Sequence, residues 1–408
     1  MLISVSIYLL SCNKGDSQIT KLDDITPDFT YIIVDTGQDK FYDNSNEISE
    51  PSTSDAFYAQ DAYYKDYIPN YRNNNDSTIT DLNTGLMWQQ NPGAKMSLAE
   101  AEEYIKTFKL ADYDNWRLPT IKELYSLIIF SGIDPSGWEG TNTDLLTPFI
   151  DTDYFIFNYG DENAGERIID AQYLSSTKYV STTMAGDKTV FGVNFADGRI
   201  KGYPYGPMPG QTTDKKFFVM FVRSNTNYGI NNFIDNNDET ISDNSTGLMW
   251  DKNDSEQSMT WEEAFEWIKQ KNSENYLGYN DWKLPNVKEL QSIVDYTRSP
   301  ATTNSAAIDP IFNCTKIIDE GGNNNYPFYW SSTTHANMTN GGNAAYVAFG
   351  EALGYMNMFE TYELMDVHGA GAQRSDPKIG NPEDYPYGHG PQGDVIRIYN
   401  FVRCVRKM

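Results

Sequence analysis

Apolar side chains recur at helical spacing twice in each half of the chain, each time directly after a residue that can cap a helix. The longest such stripe follows Thr260 and consists of Trp261, Ala264, Phe265 and Ile268. These residues fall at positions i, i+3, i+4 and i+7, which is the period of one buried helical face. A glutamate three residues after the cap gives capping-box spacing at Ser97 with Glu100, Thr120 with Glu123, Thr260 with Glu263, and Asn286 with Glu289. We therefore predict two helices in each half.

Strand-like patterns surround these helices. Short β-rich runs flank Asn83-Thr84-Gly85 and Ser245-Thr246-Gly247, and turn chemistry of this kind predicts that each half opens with a hairpin. After the second helix, apolar runs at residues 190–195 and 346–349 alternate with long segments rich in Gly, Pro and Asn. This pattern predicts short antiparallel strands with long loops, and hence an α+β fold class.

The two halves are copies of one another. Four motifs recur in the same order: residues 78–88 as 240–250, 114–119 as 280–285, 175–177 as 331–333, and 219–223 as 402–406. A repeat of this length is a domain rather than a solenoid unit, and 408 residues suit two domains. We predict a first copy at residues 76–223, a second copy at residues 238–408, and a lead-in segment at residues 25–75 that packs on the first copy.

Large aromatic rings occupy repeated motif positions in both copies. They are Trp88, Trp116, Trp250, Trp282 and Trp330. Rings at fixed places in both copies favour core packing over ligand stacking. We therefore predict that they are buried.

In this order the motifs resemble the Lcl C-terminal domain, a family named after a collagen-like bacterial adhesin. The matching strings are Thr-Gly-Leu-Met-Trp in both copies, Trp-Arg-Leu-Pro-Thr-Ile-Lys-Glu-Leu in the first, and Trp-Ser-Ser-Thr and Val-Arg-Cys-Val-Arg in the second. The family is similar in turn to C-type-lectin-like and formylglycine-generating-enzyme folds. The resemblance implies two tandem C-type-lectin-like domains, each with two helices and short antiparallel strands with long loops. It also implies a non-catalytic surface binding or adhesion module for glycan or protein ligands.

The first residues read as an export signal. Residues 1–11 are apolar but too short to span a bilayer as a helix, which is typical of a signal peptide. At their end lies Leu9-Leu10-Ser11, which with the following Cys12 resembles the bacterial lipobox. Residues 12–24 are polar, as a lipoprotein tether would be. We predict lipidation at Cys12 and a place in the cell envelope, at the outer membrane, the cell surface or a periplasmic face. The alternative is a buried first strand.

Charge narrows the range of partners. The chain carries 57 acidic and 31 basic residues, for a net charge of −26. Such a charge repels phosphate backbones and anionic lipids, so we expect no nucleic-acid partner and membrane contact only through the lipid anchor. It also disfavours sulfated glycosaminoglycans, which leaves neutral glycans or proteins as the expected ligands.

Two further cysteines, Cys314 and Cys404, form the natural disulfide pair of an exported chain. The matching positions of the first copy, near Ile156 and at Phe221, have no cysteine. We therefore predict a Cys314–Cys404 disulfide. Two independent buried thiols are the alternative.

Signals for metals and catalysis are weak. The strings at residues 73–76 and 235–239 are rich in Asn and Asp and leave calcium open, but the glycine and glutamate of a calcium loop are missing. The three histidines, His335, His368 and His389, have no zinc-ligand spacing. Catalytic motifs are absent from the sequence, so we predict no catalytic residues and no cofactor. A formylglycine-generating-like enzyme and a purely structural envelope protein are the alternative functions.

A repeated aromatic loop is the strongest candidate for ligand binding. Tyr203-Pro204-Tyr205-Gly206 and Tyr385-Pro386-Tyr387-Gly388 precede the last strand of their copies. Proline fixes the backbone and glycine permits tight turns, so the tyrosines would be held outward for stacking on sugars or proteins. We predict that Tyr203, Tyr205, Tyr385 and Tyr387 are at least partly exposed, whereas mere loop scaffolding is the alternative.

Overall fold

The computed structural model describes residues 29–140, 142–207, 213–358 and 361–408. The predicted signal peptide, the tether and Cys12 lie outside the described residues. Within the described residues, no helix is both long and apolar enough to span a bilayer. The structure is a mixed α+β fold with few helices and several antiparallel sheets.

The N-terminal segment and the first copy contain nine strands and two helices among the described residues. They are β1 (Phe41–Tyr42), β2 (Glu47–Ile48), β3 (Tyr71–Asn73), β4 (Thr78–Asp81), β5 (Met87–Gln89), α1 (Leu98–Tyr104), α2 (Ile121–Ser126), β6 (Gln172–Thr183), β7 (Asp187–Asn194), β8 (Arg199–Pro204) and β9 (Val222–Arg223). Strand β3 extends the first copy slightly into the predicted lead-in.

The second copy has three helices and eleven strands among the described residues. They are β10 (Phe233–Asp235), β11 (Thr240–Asp243), β12 (Leu248–Asp251), α3 (Trp261–Ser273), α4 (Val287–Ser292), α5 (Pro300–Thr303), β13 (Ile317–Ile318), β14 (Asn324–Asn325), β15 (Phe328–Thr334), β16 (Asn343–Ala348), β17 (Leu353–Met358), β18 (Thr361–Asp366), β19 (Gln373–Pro377) and β20 (Val405–Lys407). The short helix α5 and the hairpin β17–β18 have no counterpart in the described part of the first copy.

The opening hairpin of each copy pairs with that copy's last strand. The strand orders are β3-β4-β5-β9 in the first copy and β10-β11-β12-β20 in the second, all antiparallel. Trp88 lies opposite Val222 and Trp250 lies opposite Val405. In each copy the opening hairpin and the last strand therefore lie in one sheet. This agrees with the repeat of the terminal Val-Arg motif in both copies.

All four predicted capping boxes are present. At each helix start, the side chain of the cap accepts a hydrogen bond from the backbone N–H three residues on, and the glutamate at that position accepts one from the cap's own N–H. This exchange satisfies backbone donors that the first helical turn leaves free. The predicted helix starts are therefore confirmed.

A six-stranded antiparallel sheet joins the two copies. Its strand order is β15-β16-β19-β8-β7-β6, so the second copy supplies three strands and the first copy the other three. The seam is the pair β8·β19, where Ile200 lies opposite Gln373. Gly202 N–H donates to the carbonyl oxygen of His368 across the seam at 2.8 Å, and a Cβ at residue 202 would approach that oxygen to 2.5 Å. The seam therefore requires glycine at this position.

Helices α2 and α4 make a reciprocal contact beneath this sheet. Lys122 of α2 donates from Nζ to the carbonyl oxygen of Ser292 at 2.6 Å, and Lys288 of α4 donates to the carbonyl oxygen of Ser126 at 2.9 Å. Each repeated Lys-Glu-Leu motif thus binds the end of the other copy's helix. The arrangement is that of a two-fold dimer within one chain.

The main hydrophobic core extends through both copies. Side chains such as Leu124 and Phe191 of the first copy share one buried cluster with Leu290 and Val347 of the second. Two smaller clusters, one in each copy, lie around helices α1 and α3. All five motif tryptophans are buried, which confirms their predicted role in the core.

The N-terminal segment contacts both copies. Gln38 exchanges two hydrogen bonds with the backbone of Thr334 in the second copy, and the N–H of Phe130 in the first copy donates to Thr36 at 2.6 Å. Phe57 stacks on Trp261 of the second copy with ring centroids 5.8 Å apart. The segment therefore straps the two copies together and does not pack on the first copy alone.

Candidate ligand-binding cavity between the two copies

A cavity of about 850 Å³ lies over the seam of the six-stranded sheet. Its lining comes from both copies, with Trp138, Arg199 and Tyr203 from the first and Arg374 and Tyr385 from the second. Small-molecule sites usually fall in the range of about 300–1,000 Å³ and often lie at domain interfaces. The cavity therefore has the size and the position of a ligand site.

The floor of the cavity is the polar face of β8 and β19. Along β8, Arg199, Lys201 and Tyr203 line the cavity, whereas Ile200 belongs to the main core. Successive strand residues face opposite sides of a sheet, so this alternation gives one polar and one apolar face. The apolar face packs in the core beneath the sheet, and the polar face lines the cavity above it.

On the first-copy side the floor cations are paired with buried aspartates. Arg199 Nη2 lies 2.8 Å from Asp134 Oδ2, and Arg199 Nη1 lies 3.5 Å from Asp197 Oδ2. Lys201 Nζ lies 3.0 Å from the same oxygen of Asp197. Burial alone would raise the pKa of Asp134, but the nearby Arg199 outweighs it and lowers the pKa to about 2. Asp134 is therefore ionised at every ordinary pH.

On the second-copy side Asp394 holds an arginine and a histidine. Arg374 Nη1 lies 2.5 Å from Asp394 Oδ1, and His368 Nε2 lies 2.9 Å from the same oxygen. Burial lowers the pKa of His368 to about 4, against the opposing pull of Asp394. His368 is therefore neutral at pH 7, with its proton on Nε2 facing the carboxylate.

Two like charges meet at the seam itself. The antiparallel register that pairs Ile200 with Gln373 places Arg199 opposite Arg374. Like charges directly opposite each other destabilise a strand pair. Asp134, Asp197 and Asp394 offset this repulsion, so the floor is a balanced network of charges rather than a cationic patch.

Several buried polar atoms of the floor lack a partner. Among the described residues, no hydrogen bond reaches Arg374 Nε, Tyr203 Oη, His368 Nδ1 or Asp197 Oδ1. Buried polar atoms in folded proteins are nearly always hydrogen-bonded. These four floor atoms, and Nε1 of Trp138 in the wall, are groups whose bonding a ligand or water would complete.

Aromatic side chains line the cavity walls. Trp138 and Tyr385 are half-buried there, and Nε1 of Trp138 has no partner among the described residues. Lys215 lies over the Tyr203 ring, 5.4 Å from its centroid, and burial lowers the pKa of its ammonium group. The walls therefore offer flat apolar faces beside polar groups.

The four predicted ligand tyrosines have different fates. The prediction is wrong for Tyr203, which is only 8% exposed because β8 continues through it and its ring packs against Phe217. Tyr205 is half-buried and so meets the predicted partial exposure, but it lies outside the cavity, near Lys178. Tyr385 and Tyr387 meet the predicted exposure, Tyr385 as part of the cavity wall and Tyr387, 53% exposed, stacked on Tyr362 at 4.1 Å.

The predicted disulfide is wrong. Cys314 and Cys404 are free thiols. Cys404 is fully buried in the cluster around α3, at the position that Phe221 occupies in the first copy, whereas Cys314 lies beside the main core with Sγ 3.2 Å from Tyr329 Oη. Burial raises the pKa of Cys314 to about 11. Cys404 therefore replaces a hydrophobic core residue, as cysteine can because it behaves as a small apolar side chain.

The two Asn- and Asp-rich strings form the turns of hairpins. Asp235 accepts a hydrogen bond from the N–H of Asn237, and Asp238 accepts bonds from the backbone and side chain of Thr240. The turn after Asn73 has the same pattern. Within the part of the chain that the structure describes, no group of three or more metal-binding side chains is clustered.

Most of the polar floor was missed by sequence reasoning. The alternation of Arg199, Lys201 and Tyr203 with Ile200 and Gly202 could have indicated a strand with one polar face. No local pattern could have placed Arg374 beside it, because the two strands are far apart in the sequence and come from different copies.

The sequences of the two copies match a known domain family. The profile of the Lcl C-terminal domain matches residues 77–223 and 239–366, which is more than half of the chain. The chain belongs to this family and carries its domain twice in tandem. No curated protein and no solved structure shows significant similarity to the chain. The second match ends before β20, which nevertheless completes the sheet of the second copy.

Proposed function

We propose that this protein is a lipid-anchored binding module of the bacterial cell envelope, and that a glycan or protein ligand enters the cavity between its two copies. The observation that carries the proposal is the composite cavity itself. Its floor exists only where β8 and β19 pair, and its lining brings together Tyr203 of the floor and Tyr385 of the wall, which come from the two repeated Tyr-Pro-Tyr-Gly motifs. The pairing of first and last strands in each copy supports the C-type-lectin-like relationship that the motif order suggests.

A non-catalytic role is part of this proposal. An enzyme of the formylglycine-generating type needs reactive thiolates in an open cleft. Cys404 is fully buried, and burial raises the pKa of both cysteines. Neither thiol lines the cavity. These features favour binding over cysteine chemistry.

Blocking the cavity tests the proposed site. Thr339 is exposed at the cavity wall, so Thr339→Trp fills the opening without disturbing the core. We expect this variant to lose binding on a glycan array and on a panel of immobilised extracellular proteins, while the wild type binds. Thr107→Trp, an exposed threonine outside the cavity, is the matched control and should bind normally. Equal binding by both variants would reject the cavity, and no binding by the wild type would favour a purely structural role.

Anchoring is tested separately at Cys12. Cys12→Ala removes the thiol that the lipid would modify, so the protein should move from the membrane fraction to the soluble fraction. The measurement is immunoblotting of fractionated cells. Retention of the variant in membranes would reject lipidation at this residue, without bearing on the cavity.

A further inference from the structure

We infer that the ligand of the cavity is an uncharged polyhydroxylated group, that is, a neutral saccharide unit bound across the seam by groups from both copies. The inference rests on the proposed function and goes beyond it by naming the ligand class. It follows from the kinds of atom that the floor leaves without a partner, from the charge balance around them, and from the shape of the walls.

The unpartnered atoms are of both hydrogen-bonding kinds. Arg374 Nε can only donate, and Tyr203 Oη can donate or accept. His368 Nδ1 is an acceptor, because the ring is neutral and its proton lies on Nε2, which faces Asp394 at 2.9 Å. Asp197 Oδ1 is a second acceptor. A hydroxyl group both donates and accepts, so adjacent hydroxyl groups can satisfy such a mixed set.

An anion fits this set poorly. A sulfate or carboxylate offers acceptor atoms only and would leave His368 Nδ1 and Asp197 Oδ1 without partners. The cations of the floor are already neutralised, since Arg199 pairs with Asp134, and Arg374 with Asp394. An anion would therefore have to displace short ion pairs to bind there.

The walls complete the match to a sugar ring. Trp138 and Tyr385 present half-buried rings at the cavity, and pyranose rings carry an apolar C–H face that packs on such surfaces. A volume of about 850 Å³ holds a short oligosaccharide rather than a single sugar. The saccharide therefore packs an apolar C–H face on the aromatic walls and directs its hydroxyl groups to the polar floor.

The test is isothermal titration calorimetry of the full chain with three sets of probes. They are neutral di- to tetrasaccharides of glucose, galactose, mannose and N-acetylglucosamine, sulfated and uronate-containing oligosaccharides of the same length, and short acidic and basic peptides. We expect at least one neutral probe to bind, with an affinity that changes less than twofold between low and high salt, because no net charge is neutralised.

Two substitutions show whether that probe uses the inferred groups. Tyr203→Phe removes one hydroxyl and keeps the ring, and should weaken binding about 3- to 10-fold. Tyr71→Phe is its control, because the Tyr71 hydroxyl is also buried and unpartnered but lies outside the cavity. Trp138→Ala should weaken binding about tenfold or more, with Trp267→Ala, a half-buried tryptophan elsewhere, as control.

The outcomes separate the inference from the proposed function. If a charged oligosaccharide or a peptide binds and Thr339→Trp abolishes that binding, while no neutral probe does so, the cavity is a ligand site and the saccharide inference is wrong. If no probe shows binding sensitive to Thr339→Trp, both ideas fail. Unchanged affinity of the best neutral probe in both Tyr203→Phe and Trp138→Ala also overturns the inference.

Discussion

Asp61 is a carboxyl group with almost no access to water, placed between the N-terminal segment and the second copy. Its Oδ2 accepts hydrogen bonds from Thr36 at 2.8 Å and from Thr333 at 2.5 Å. Burial raises its pKa to about 7, although both hydroxyl groups act in the opposite direction. The contact between the N-terminal segment and the second copy therefore contains a carboxyl group that titrates near neutral pH.

This raised pKa predicts a loss of stability as pH rises. The folded state holds the proton more tightly than the unfolded chain, whose aspartate pKa is about 3.9. The stabilising contribution is therefore complete below about pH 4 and disappears as pH rises through about 7. Asp61→Asn cannot ionise, so its unfolding free energy should fall less than that of the wild type between pH 5 and pH 8, by on the order of 2 kcal/mol.

Urea unfolding at the two pH values measures the difference. Asp39→Asn, an exposed aspartate of the same segment, should behave like the wild type. Parallel pH dependence of Asp61→Asn and the wild type would show that the buried carboxyl does not titrate in this range.

The thiols of Cys314 and Cys404 should react slowly with alkylating reagents in the folded protein. A thiol with a pKa of about 11, such as that of Cys314, is almost entirely protonated at pH 8 and reacts slowly. We expect alkylation of both residues only after unfolding, and no change in thermal stability on adding a reductant. Peptide mapping by mass spectrometry is the measurement, and a disulfide-linked peptide containing both residues would contradict it.

Single residues also show where sequence reasoning fails. The disulfide was expected because two cysteines stood in one exported copy, but Cys404 simply fills the core position of Phe221. Tyr203 was expected in a loop because of the proline after it, yet β8 runs through Tyr203 and ends at Pro204. In both cases the deciding contact is made by residues distant in the sequence.

At the scale of elements, local patterns were sufficient for the helices. A cap, a glutamate three residues on and an apolar stripe define each start within one helical turn, and all four starts are as predicted. The opening hairpins are equally local. The seam of β8 and β19 has no such signal, because strand pairing across copies depends on the shape of the assembled domains.

The reciprocal lysines between α2 and α4 should stabilise the junction of the copies. Each Nζ donates to the carbonyl oxygen of the last residue of the other copy's helix, a position for which the helix itself supplies no donor. Lys122→Met and Lys288→Met keep the length of the side chain but leave those carbonyls unpaired, so each should cost about 1–3 kcal/mol of unfolding free energy.

Chemical unfolding of the two variants measures this cost. Lys109→Met, at an exposed lysine 3.7 Å from Asp114, is the control and should cost little. An unchanged stability in both junction variants would mean that the removal of a buried charge compensates for the lost hydrogen bonds.

At the scale of the molecule, the two copies should unfold as one unit. They share a six-stranded sheet, a common core and the N-terminal strap. Loss of one copy would expose an unpaired strand edge and much of the core of the other. We therefore predict a single calorimetric transition whose van't Hoff and calorimetric enthalpies agree. Two resolved transitions, or a protease-resistant single copy, would contradict this.

The sequence defined the number and type of domains but not how they combine. Repeated motifs showed two copies, and their order showed the family. The joint sheet depends on the hydrogen bond from Gly202 N–H to His368 O across the seam, and on the hydrogen bonds of the N-terminal segment to both copies. The cavity depends on the same contacts because it lies over this sheet. Contacts between residues so far apart in the sequence produce no periodic pattern of apolar and polar positions.

Placing the site on the junction also fixes its valency. A dimer of identical chains would present the same groups on both sides of such a seam, and a ligand could enter in two equivalent orientations. Here one side offers Asp197 and Lys201 and the other His368 and Asp394, so a ligand bound there would be held in one orientation only. On the proposed function, duplication would thus have produced one asymmetric site at the seam rather than one site within each copy. Avid attachment to a surface would then depend on how densely these chains are displayed, not on how many domains each one carries.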